Sequence, residues 1–157
     1  MRRLVILFTS ALLVLAPCIA VAEAPLLTVK LPAQADRAFT RSDLEAMPVR
    51  EFSTTTLWTE GEVRFTGVSL STLLERLGVS EGVMKAQAIN DYAVEVPVAD
   101  ATEDGPIIAY LMNGEEMSPR DKGPLWIVYP YDANVAYQTE TYYSRSIWQL
   151  DRVTILK

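Results

Sequence analysis

The side chains best suited to chemistry in this sequence are aromatic and polar residues crowded near its C-terminal end. Within 23 positions the chain carries Trp126, Tyr129, Pro130, Tyr131, Asp132, Tyr137, Tyr142, Tyr143, Arg145 and Trp148. Tyrosine and tryptophan combine a flat apolar face with a polar tip, which suits a planar heterocycle that also forms hydrogen bonds. A carboxylate could accept two adjacent donors of such a ring, and Asp91, Asp132 and Glu140 are the candidates. The aromatic residues could equally be core, since large aromatics are mostly buried.

Composition excludes several other kinds of chemistry. The chain has no histidine and one cysteine. A Ser-His-Asp hydrolase, a Cys-His protease, a histidine-ligated haem and nearly every zinc site need residue types that are missing here. The 20 acidic residues outnumber the 14 basic ones, which argues against a nucleic-acid or anionic-membrane surface. We therefore predict no haem, no zinc and no nucleic-acid partner.

The N-terminal residues have the pattern of a secretory signal. Two arginines precede an apolar run over residues 4–15, and Ala20-Val21-Ala22 fits the small residues of a cleavage site. The run is shorter than the ~20 residues of a spanning helix. We predict that residues 1–22 are a cleaved signal peptide and that residues 23–157 form one periplasmic domain, not inserted in the membrane.

Other interpretations of this segment are open. Cleavage after Ala24 would leave Pro25 just past the scissile bond, which disfavours it. An uncleaved anchor is a further alternative. Cys18 suggests a lipoprotein, but Pro17 stands where a lipidation box normally has a small residue.

Alternation of apolar and polar residues predicts a domain made mainly of strands. The predicted strands cover residues 27–31, 49–58, 62–65, 83–89, 92–96, 106–112, 125–129 and 148–156. The strand at 125–129 is nearly all apolar, which predicts a buried central strand. The apolar face of the last strand shifts near Arg152, as a β-bulge would cause. Asn113-Gly114 predicts a tight hairpin turn.

Two short helices are predicted between the strands. Ser42 to Glu45 fit a capping box, and Pro48 ends that helix. The leucines at 70, 73, 74 and 77 repeat at helical spacing, with Ser69 as a cap and Gly78 suited to the left-handed end. We interpret this stripe as core. The predicted class is α+β with β predominating.

The order of several motifs resembles a known family. Residues 65–70 read Phe-Thr-Gly-Val-Ser-Leu before the leucine helix, residues 109–117 contain the Asn-Gly turn, residues 123–130 begin with Gly-Pro-Leu, and Trp148 follows. In this order and spacing the chain resembles the sulfite-oxidase-type molybdopterin-binding domain over residues 39–157. The resemblance implies that fold and a ligand containing a pterin ring.

The sequence departs from that family where the metal and the phosphate are held. The family's molybdenum-binding cysteine falls in the stretch that reads Ser-Thr-Thr-Thr-Leu-Trp over residues 53–58, and a hydroxyl does not replace a soft thiolate. The family also tends to carry basic residues at two positions that here are Trp126 and Ile147. We therefore expect a pterin without molybdenum and without a phosphate.

A second resemblance is narrower. With Asn-Asp-Tyr at 90–92, Gly-Pro-Leu-Trp-Ile-Val-Tyr-Pro-Tyr-Asp at 123–132 and Arg-Ser-Ile-Trp-Gln-Leu at 145–150, the chain is similar to the PruR-type periplasmic pterin-binding regulators. This implies a protein that is not an enzyme and that reports pterin to the periplasmic region of a membrane sensor of cyclic di-GMP signalling. The site residues expected on this basis are Trp58, Asp91, Tyr92, Trp126, Tyr131, Asp132, Tyr143, Arg145 and Trp148.

Two alternatives to a pterin-binding regulator are open. The chain could be a molybdopterin-dependent oxidoreductase subunit, which the fold alone would suggest. It could also be a degenerate adaptor domain whose pocket is filled by its own aromatic residues, in which case those residues would affect stability and no ligand response.

Overall fold

Two β-sheets form the framework of the protein. The computed structural model describes residues 22–156, so Cys18 and the predicted signal peptide, apart from Ala22, lie outside the described residues. The described chain is β-rich with three short α-helices, which confirms the predicted α+β class. Between residues 22 and 156, no helix has the length and apolar character that crossing a membrane would take.

The strands follow the alternating segments of the sequence. They are β1 (Leu27–Lys30), β2 (Arg37–Phe39), β3 (Val49–Thr55), β4 (Glu62–Ser69), β5 (Val83–Ala88), β6 (Ala93–Pro97), β7 (Ile107–Met112), β8 (Glu115–Glu116), β9 (Trp126–Val128) and β10 (Leu150–Leu156). The first sheet has the order β2-β1-β10-β5-β6, and the second has the order β3-β4-β7-β8 with β9 paired to β7. Strands β1 and β10 run parallel, and the other paired strands run antiparallel.

The predicted bulge near Arg152 is present. Leu150 pairs with Ala88 and Arg152 pairs with Gln87, so Asp151 is the extra residue between them. A bulge of this kind bends the strand and re-aims the side chain that follows it. The guanidinium of Arg152 is thereby directed towards the turn between β5 and β6.

The predicted hairpin turn at Asn113-Gly114 is also present. Both residues have positive φ, 53° and 84°, as a two-residue turn with the twist of the flanking strands requires. The Asn113 side chain accepts a hydrogen bond from the backbone N–H of Arg64 at 3.0 Å. This contact ties the turn to the neighbouring strand.

The prediction of a central strand at 125–129 is wrong in one respect. Strand β9 is fully buried, as expected, but among the strands of residues 22–156 it pairs with β7 alone. The segment of β7 beyond Ala109 pairs with β8 instead. The apolar run therefore indicates that both faces of the strand are buried. A strand can be buried in this way without a neighbouring strand on each side.

Two predicted strands lose two or more residues at one end. The strand predicted over 49–58 ends at Thr55, because Thr56 forms a local turn in which its hydroxyl accepts from the Trp58 N–H at 3.0 Å. The strand predicted over 148–156 begins at Leu150, because Gln149 has a φ of 53°, which is outside the strand region. Both corrections move a tryptophan, Trp58 or Trp148, out of a strand and into a loop.

The three helices are α1 (Arg41–Glu45), α2 (Leu70–Leu77) and α3 (Glu140–Arg145). The capping box of α1 begins two residues earlier than predicted, with Thr40 as the cap and Asp43 as its partner. Gly78 ends α2 in the left-handed conformation, as predicted, but the Ser69 hydroxyl makes no capping hydrogen bond. The prediction of two helices missed α3, whose sequence has no apolar stripe of helical period.

The buried apolar residues of both sheets and of α2 form one continuous core. Gly67 lies in this core, where β4 and β7 approach closely. A methyl group at Gly67 would lie 2.1 Å from the carbonyl oxygen of Ile108, which is backbone and cannot turn aside.

We expect Gly67→Ala to lower the free energy of unfolding by about 3 kcal/mol because the two strands must separate to admit a methyl group. Urea unfolding measures this. Gly61→Ala is the control, since no atom lies within 4 Å of its added methyl and only its positive φ of 65° opposes the change, at a cost of about 1 kcal/mol. Equal losses for the two variants would contradict the close approach.

Candidate functional site

A cavity of about 680 Å³ opens where loops of both sheets meet α3. Its walls come from the β3–β4 loop, the β5–β6 turn, α3 and the segment that leads into β10. The lining residues are Leu57, Trp58, Ala88, Asn90, Tyr92, Glu140, Tyr143, Ser144, Ser146, Ile147, Trp148 and Gln149. A cavity of this size is in the range of small-molecule sites.

Four of the predicted site residues line this cavity, and one of them, Trp58, packs against two of the others. The Trp58 ring centroid lies 5.5 Å from that of Trp148 and 5.9 Å from that of Tyr143, both in edge-on geometry. The Trp148 side chain is 37% exposed, so part of its surface faces the opening. Tyr92, the fourth, is exposed on the β5–β6 turn. The structure therefore assembles an aromatic wall from segments far apart in the sequence.

Two further predicted residues lie behind this wall. Trp126 is fully buried, with its ring 6.0 Å from Trp58 and 6.2 Å from Trp148. Tyr131 is also buried, and its hydroxyl is hydrogen-bonded to the Ser146 hydroxyl. Burial raises the pKa of the Tyr131 phenol well above its ordinary value, so this group stays protonated. Both residues support the wall and neither lines the cavity.

Arg145 also lies outside the cavity, where it anchors α3. Its guanidinium donates to the Asp100 carboxylate at 2.8 Å, and the Tyr129 hydroxyl donates to the same oxygen at 2.7 Å. The Arg145 and Asp100 side chains are 22% and 10% exposed. Burial, followed by the bond to Asp100, raises the pKa of Tyr129 far above its ordinary range. Glu140, Tyr143 and Ser144 are carried on the helix that this network holds.

The three candidate carboxylates differ in their partners and in whether they line the cavity. Asp91 pairs with Arg152 at 2.7 Å and lies outside the cavity lining. Asp132 accepts from the backbone N–H and the hydroxyl of Thr55 at 2.6 and 2.8 Å, so it fastens its loop to the end of β3. Glu140 alone of the three lines the cavity, which leaves it as the acid available to a ligand there.

The Asp132 contacts predict a pH dependence of stability. The backbone N–H of Thr55 lowers the pKa of Asp132 below its ordinary value of 3.8, with a further lowering by the hydroxyls of Thr55 and Thr54. Because the pKa is lower in the folded state, this stabilisation is present above pH 3.8 and is lost as the pH falls through the folded-state pKa.

We therefore expect Asp132→Asn to lose less stability than the natural chain when the pH is lowered from about 5 to about 2. Thermal unfolding across that interval measures the difference. Asp36→Asn serves as the control, since Asp36 is an exposed residue of the segment before β2. Parallel curves for Asp132→Asn and the natural chain would contradict the assignment.

Several lining residues were not among the predicted site residues. Asn90, Ser146, Ile147 and Gln149 fall in the motifs of the narrower resemblance, so that pattern could have indicated them. Leu57, Ala88 and Ser144 gave no such indication, because their place in the wall depends on how the loops meet. The Gln149 amide turns away from the cavity and donates to the Pro119 and Asp121 carbonyls at 2.7 and 3.2 Å.

The residues of the cavity do not match a phosphorylated molybdenum cofactor. The sequence between residues 22 and 156 has no cysteine or histidine, and that part of the chain holds no group of three or more metal-ligating side chains. The resemblance to the sulfite-oxidase-type family implies a cysteine thiolate as the protein's ligand to molybdenum, and this part of the chain offers none. The lining carries one acid and no lysine or arginine, so a phosphate would find no charge-assisted partner in it.

The framework of two sheets and short helices belongs to a known family of domains. Residues 22–135 match the family described as the oxidoreductase molybdopterin binding domain, and the chain belongs to that family. The match ends before α3, so Glu140, Tyr143 and Trp148 lie beyond it. The family match therefore covers the sheets that frame the cavity, but it does not cover the lining residues that α3 and the segment after it contribute.

A solved structure has the same fold. The sulfane dehydrogenase SoxCD from Paracoccus pantotrophus superimposes with a TM-score of 0.61 and is 19% identical in sequence. The match covers 82% of this chain and 37% of the SoxCD chain. At this identity the similarity shows the fold alone. None of the curated proteins matches the chain.

Proposed function

We propose that this protein binds a metal-free pterin in the cavity and is a binding protein, not an enzyme. The observation that carries the proposal is the cavity lining, which holds four aromatic residues, one carboxylate and no lysine or arginine; the aromatic residues are Trp58, Tyr92, Tyr143 and Trp148. Aromatic faces favour a flat heterocycle, and burial of both ring faces supplies most of the binding free energy. The membership of a family described as molybdopterin binding supports a pterin as that heterocycle.

Glu140 supplies the polar contact that would orient the ring. The amino-pyrimidinone edge of a pterin has adjacent N–H donors, and one carboxylate can accept both. Glu140 is in the first turn of α3 and is exposed at the cavity. Ser144 lies one turn further along the same helix and offers a hydroxyl on the same wall.

The charge of the wall favours a pterin without phosphate. In the phosphorylated cofactor the anionic group needs guanidinium or ammonium donors. The two family positions that tend to be basic are here Trp126, which is fully buried behind the cavity, and Ile147, which is buried in its lining. With Glu140 as the charged lining residue, a phosphate in the cavity would be repelled.

We further propose, from the resemblance to PruR-type regulators, that the protein acts in the periplasm and reports pterin to the periplasmic region of a membrane sensor. The sensor's cytoplasmic domains would make or degrade cyclic di-GMP. A ligand can bias such a partner only if it binds the two states of the complex unequally. Leu57 and Tyr92 are strongly exposed at the cavity mouth, where a partner would contact protein and ligand together.

Glu140→Gln tests the orientation of the ring. We expect it to weaken binding of 6-hydroxymethylpterin about tenfold, because the charge-assisted pair becomes a neutral one in which the amide offers a single acceptor. Quenching of pterin fluorescence on titration measures the affinity. Glu115→Gln, on the exposed β8 strand and outside the lining, is the control and should bind as the natural chain does.

A flat titration with oxidised and dihydro forms of the probe would contradict the proposal as a whole. Equal affinities for Glu140→Gln and the natural chain would contradict the role of Glu140 alone. An adaptor domain with a self-filled pocket would give the flat titration, but the open volume of about 680 Å³ argues for a ligand.

A second candidate is a molybdopterin-dependent oxidoreductase subunit. Family membership and the SoxCD fold favour it. The chain spans 37% of the SoxCD chain, so further domains or subunits would have to supply what this chain lacks. Molybdenum analysis of protein made in a molybdenum-replete host separates the two candidates: one equivalent of metal per chain would establish the oxidoreductase.

A further inference from the structure

We propose that Arg152 is a positioning residue for the cavity: its guanidinium holds the β5–β6 turn so that alternate residues of that turn face the ligand. Ala88, Asn90 and Tyr92 line the cavity, whereas Asp91 does not. Asp91 instead receives the guanidinium of Arg152 at 2.7 Å. The inference rests on the proposed function, because it concerns the wall that the pterin would contact.

The contacts of Arg152 span the whole base of the turn. Its Nη2 donates to the Ala88 carbonyl at 3.2 Å and to the Asp91 carboxylate at 2.7 Å. Its Nε donates to Asp151 at 3.0 Å, the extra residue of the bulge. The rigid fork of a guanidinium makes such multiple contacts with less loss of freedom than an ammonium group would. Through Arg152, the bulge in β10 is joined to the cavity wall.

Arg152 holds from outside a turn that two backbone hydrogen bonds close: the Ala88 N–H donates to the Tyr92 carbonyl at 2.8 Å, and the Asp91 N–H donates to the Ala88 carbonyl at 2.9 Å. Asp91 has a φ of 66°, a left-handed conformation that an aspartate tolerates better than most residues but that still has a cost. Within the described residues, the Ile89 N–H bonds the Gln149 carbonyl at 2.9 Å, and Arg152 is the only side chain outside the turn that hydrogen-bonds to it. The Asn90 side chain bonds within the turn, to the Tyr92 N–H.

The ion pair between Asp91 and Arg152 is largely exposed, so it is suited to holding the turn and adds little to the stability of the whole fold. The Asp91 side chain is 76% exposed and that of Arg152 is 32% exposed. Exposed ion pairs contribute little to the stability of a fold. Loss of this pair should therefore leave global unfolding almost unchanged while the turn samples more conformations. Binding of a ligand then has to order the turn, and the free-energy cost of this ordering lowers the affinity.

Arg152→Gln tests the inference in two independent measurements. In the ligand-free protein we expect amide hydrogen exchange at Ile89 and Asp91 to become about threefold faster, with a smaller change in the centre of β5. In titrations with 6-hydroxymethylpterin we expect affinity to fall about fivefold. Arg152→Lys, which keeps the charge and one donor, should restore part of both effects.

Two further variants serve as controls for the Arg152 measurements. Asp91→Asn keeps the left-handed conformation and one acceptor, and it should give a smaller change in the same direction. Arg64→Gln removes another exposed ion pair, that with Glu51 at 3.9 Å on the second sheet, and should change neither measurement.

The outcomes distinguish this inference from the proposed function. Unchanged exchange at Ile89 and Asp91 overturns the clamp whether or not a pterin binds. Faster exchange with unchanged affinity overturns the role in ligand positioning. A natural chain that binds no probe overturns the proposed function, while the exchange measurement still decides whether Arg152 holds the turn. A loss of global stability much larger than the change in exchange at the turn corresponds to would make Arg152 a residue of the whole fold, which also contradicts the inference.

Discussion

Trp148→Ala is expected to weaken binding of 6-hydroxymethylpterin about a hundredfold, because a stacked heterocycle contributes ~1–3 kcal/mol per aromatic partner and the wall around it also opens. Trp148 contacts both Trp58 and Trp126 in edge-on geometry. Its removal therefore takes away one stacking face and loosens a second. Fluorescence titration of the purified variants measures the loss.

The controls separate stacking from general damage. Trp148→Phe keeps a flat ring and should retain most of the affinity. Val135→Ala removes apolar surface from a side chain that is 77% exposed and outside the lining, and should bind as the natural chain does. If Trp148→Ala lowered the free energy of unfolding and left the affinity intact, the tryptophan would be a packing residue and the cavity would not use it.

Arg145→Met is expected to lower the free energy of unfolding by about 2 kcal/mol, because it leaves the nearly buried Asp100 carboxylate without its cation. The ion pair lies at 2.8 Å between side chains that are less than a quarter exposed. Arg145 also lies over the Tyr142 ring, 5.3 Å from its centroid, and methionine keeps much of that packing. Urea unfolding of the variant and the natural chain measures the change.

A double-mutant cycle tests whether the charge is the cause. Asp100→Asn removes the charge that Arg145 compensates and still accepts from the Tyr129 hydroxyl, so combining it with Arg145→Met should recover about 1 kcal/mol of the sum of the single losses. Simple additivity would show that the two side chains are not coupled. The result also bears on the site, since α3 carries Glu140 and Tyr143.

The regular elements of the fold were predictable from local patterns. The leucine stripe of α2, the Asn113-Gly114 turn and the bulge before Arg152 each depend on residues close in sequence. α3 was not predictable in this way: its six residues hold no apolar stripe, its Thr139 cap makes no side-chain hydrogen bond, and distant contacts through Asp100 stabilise it.

The aromatic part of the site was also accessible to sequence reasoning, because the residue types themselves carry the chemistry. Trp58, Tyr92, Tyr143 and Trp148 were named from the sequence and line one cavity, and their role in binding stays a prediction. The side chains that sequence could not assign are the charged ones. The role of a carboxylate or a guanidinium cannot be assigned until its partner is known. Asp91 and Arg145 are each paired with a residue about 45 or more positions away in the sequence.

The position of the charges also explains why the cavity differs from a phosphate site. Arg145 and Arg152 lie outside the cavity lining, and each forms an ion pair with an aspartate. Glu140 faces the open space instead. A fold shared with molybdopterin-binding oxidoreductases thus presents an aromatic wall with a single acid, and this arrangement is what the proposal of a neutral, metal-free ligand depends on.

The most direct test of that proposal is mass spectrometry of the small molecules released from the natural chain and Trp148→Ala, both purified from the periplasm of a molybdenum-replete host. Molybdenum is quantified in the same samples. We expect a pterin without phosphate in the natural chain, none in Trp148→Ala, and no molybdenum in either. A phosphorylated molybdopterin with stoichiometric molybdenum in the natural chain would contradict the account.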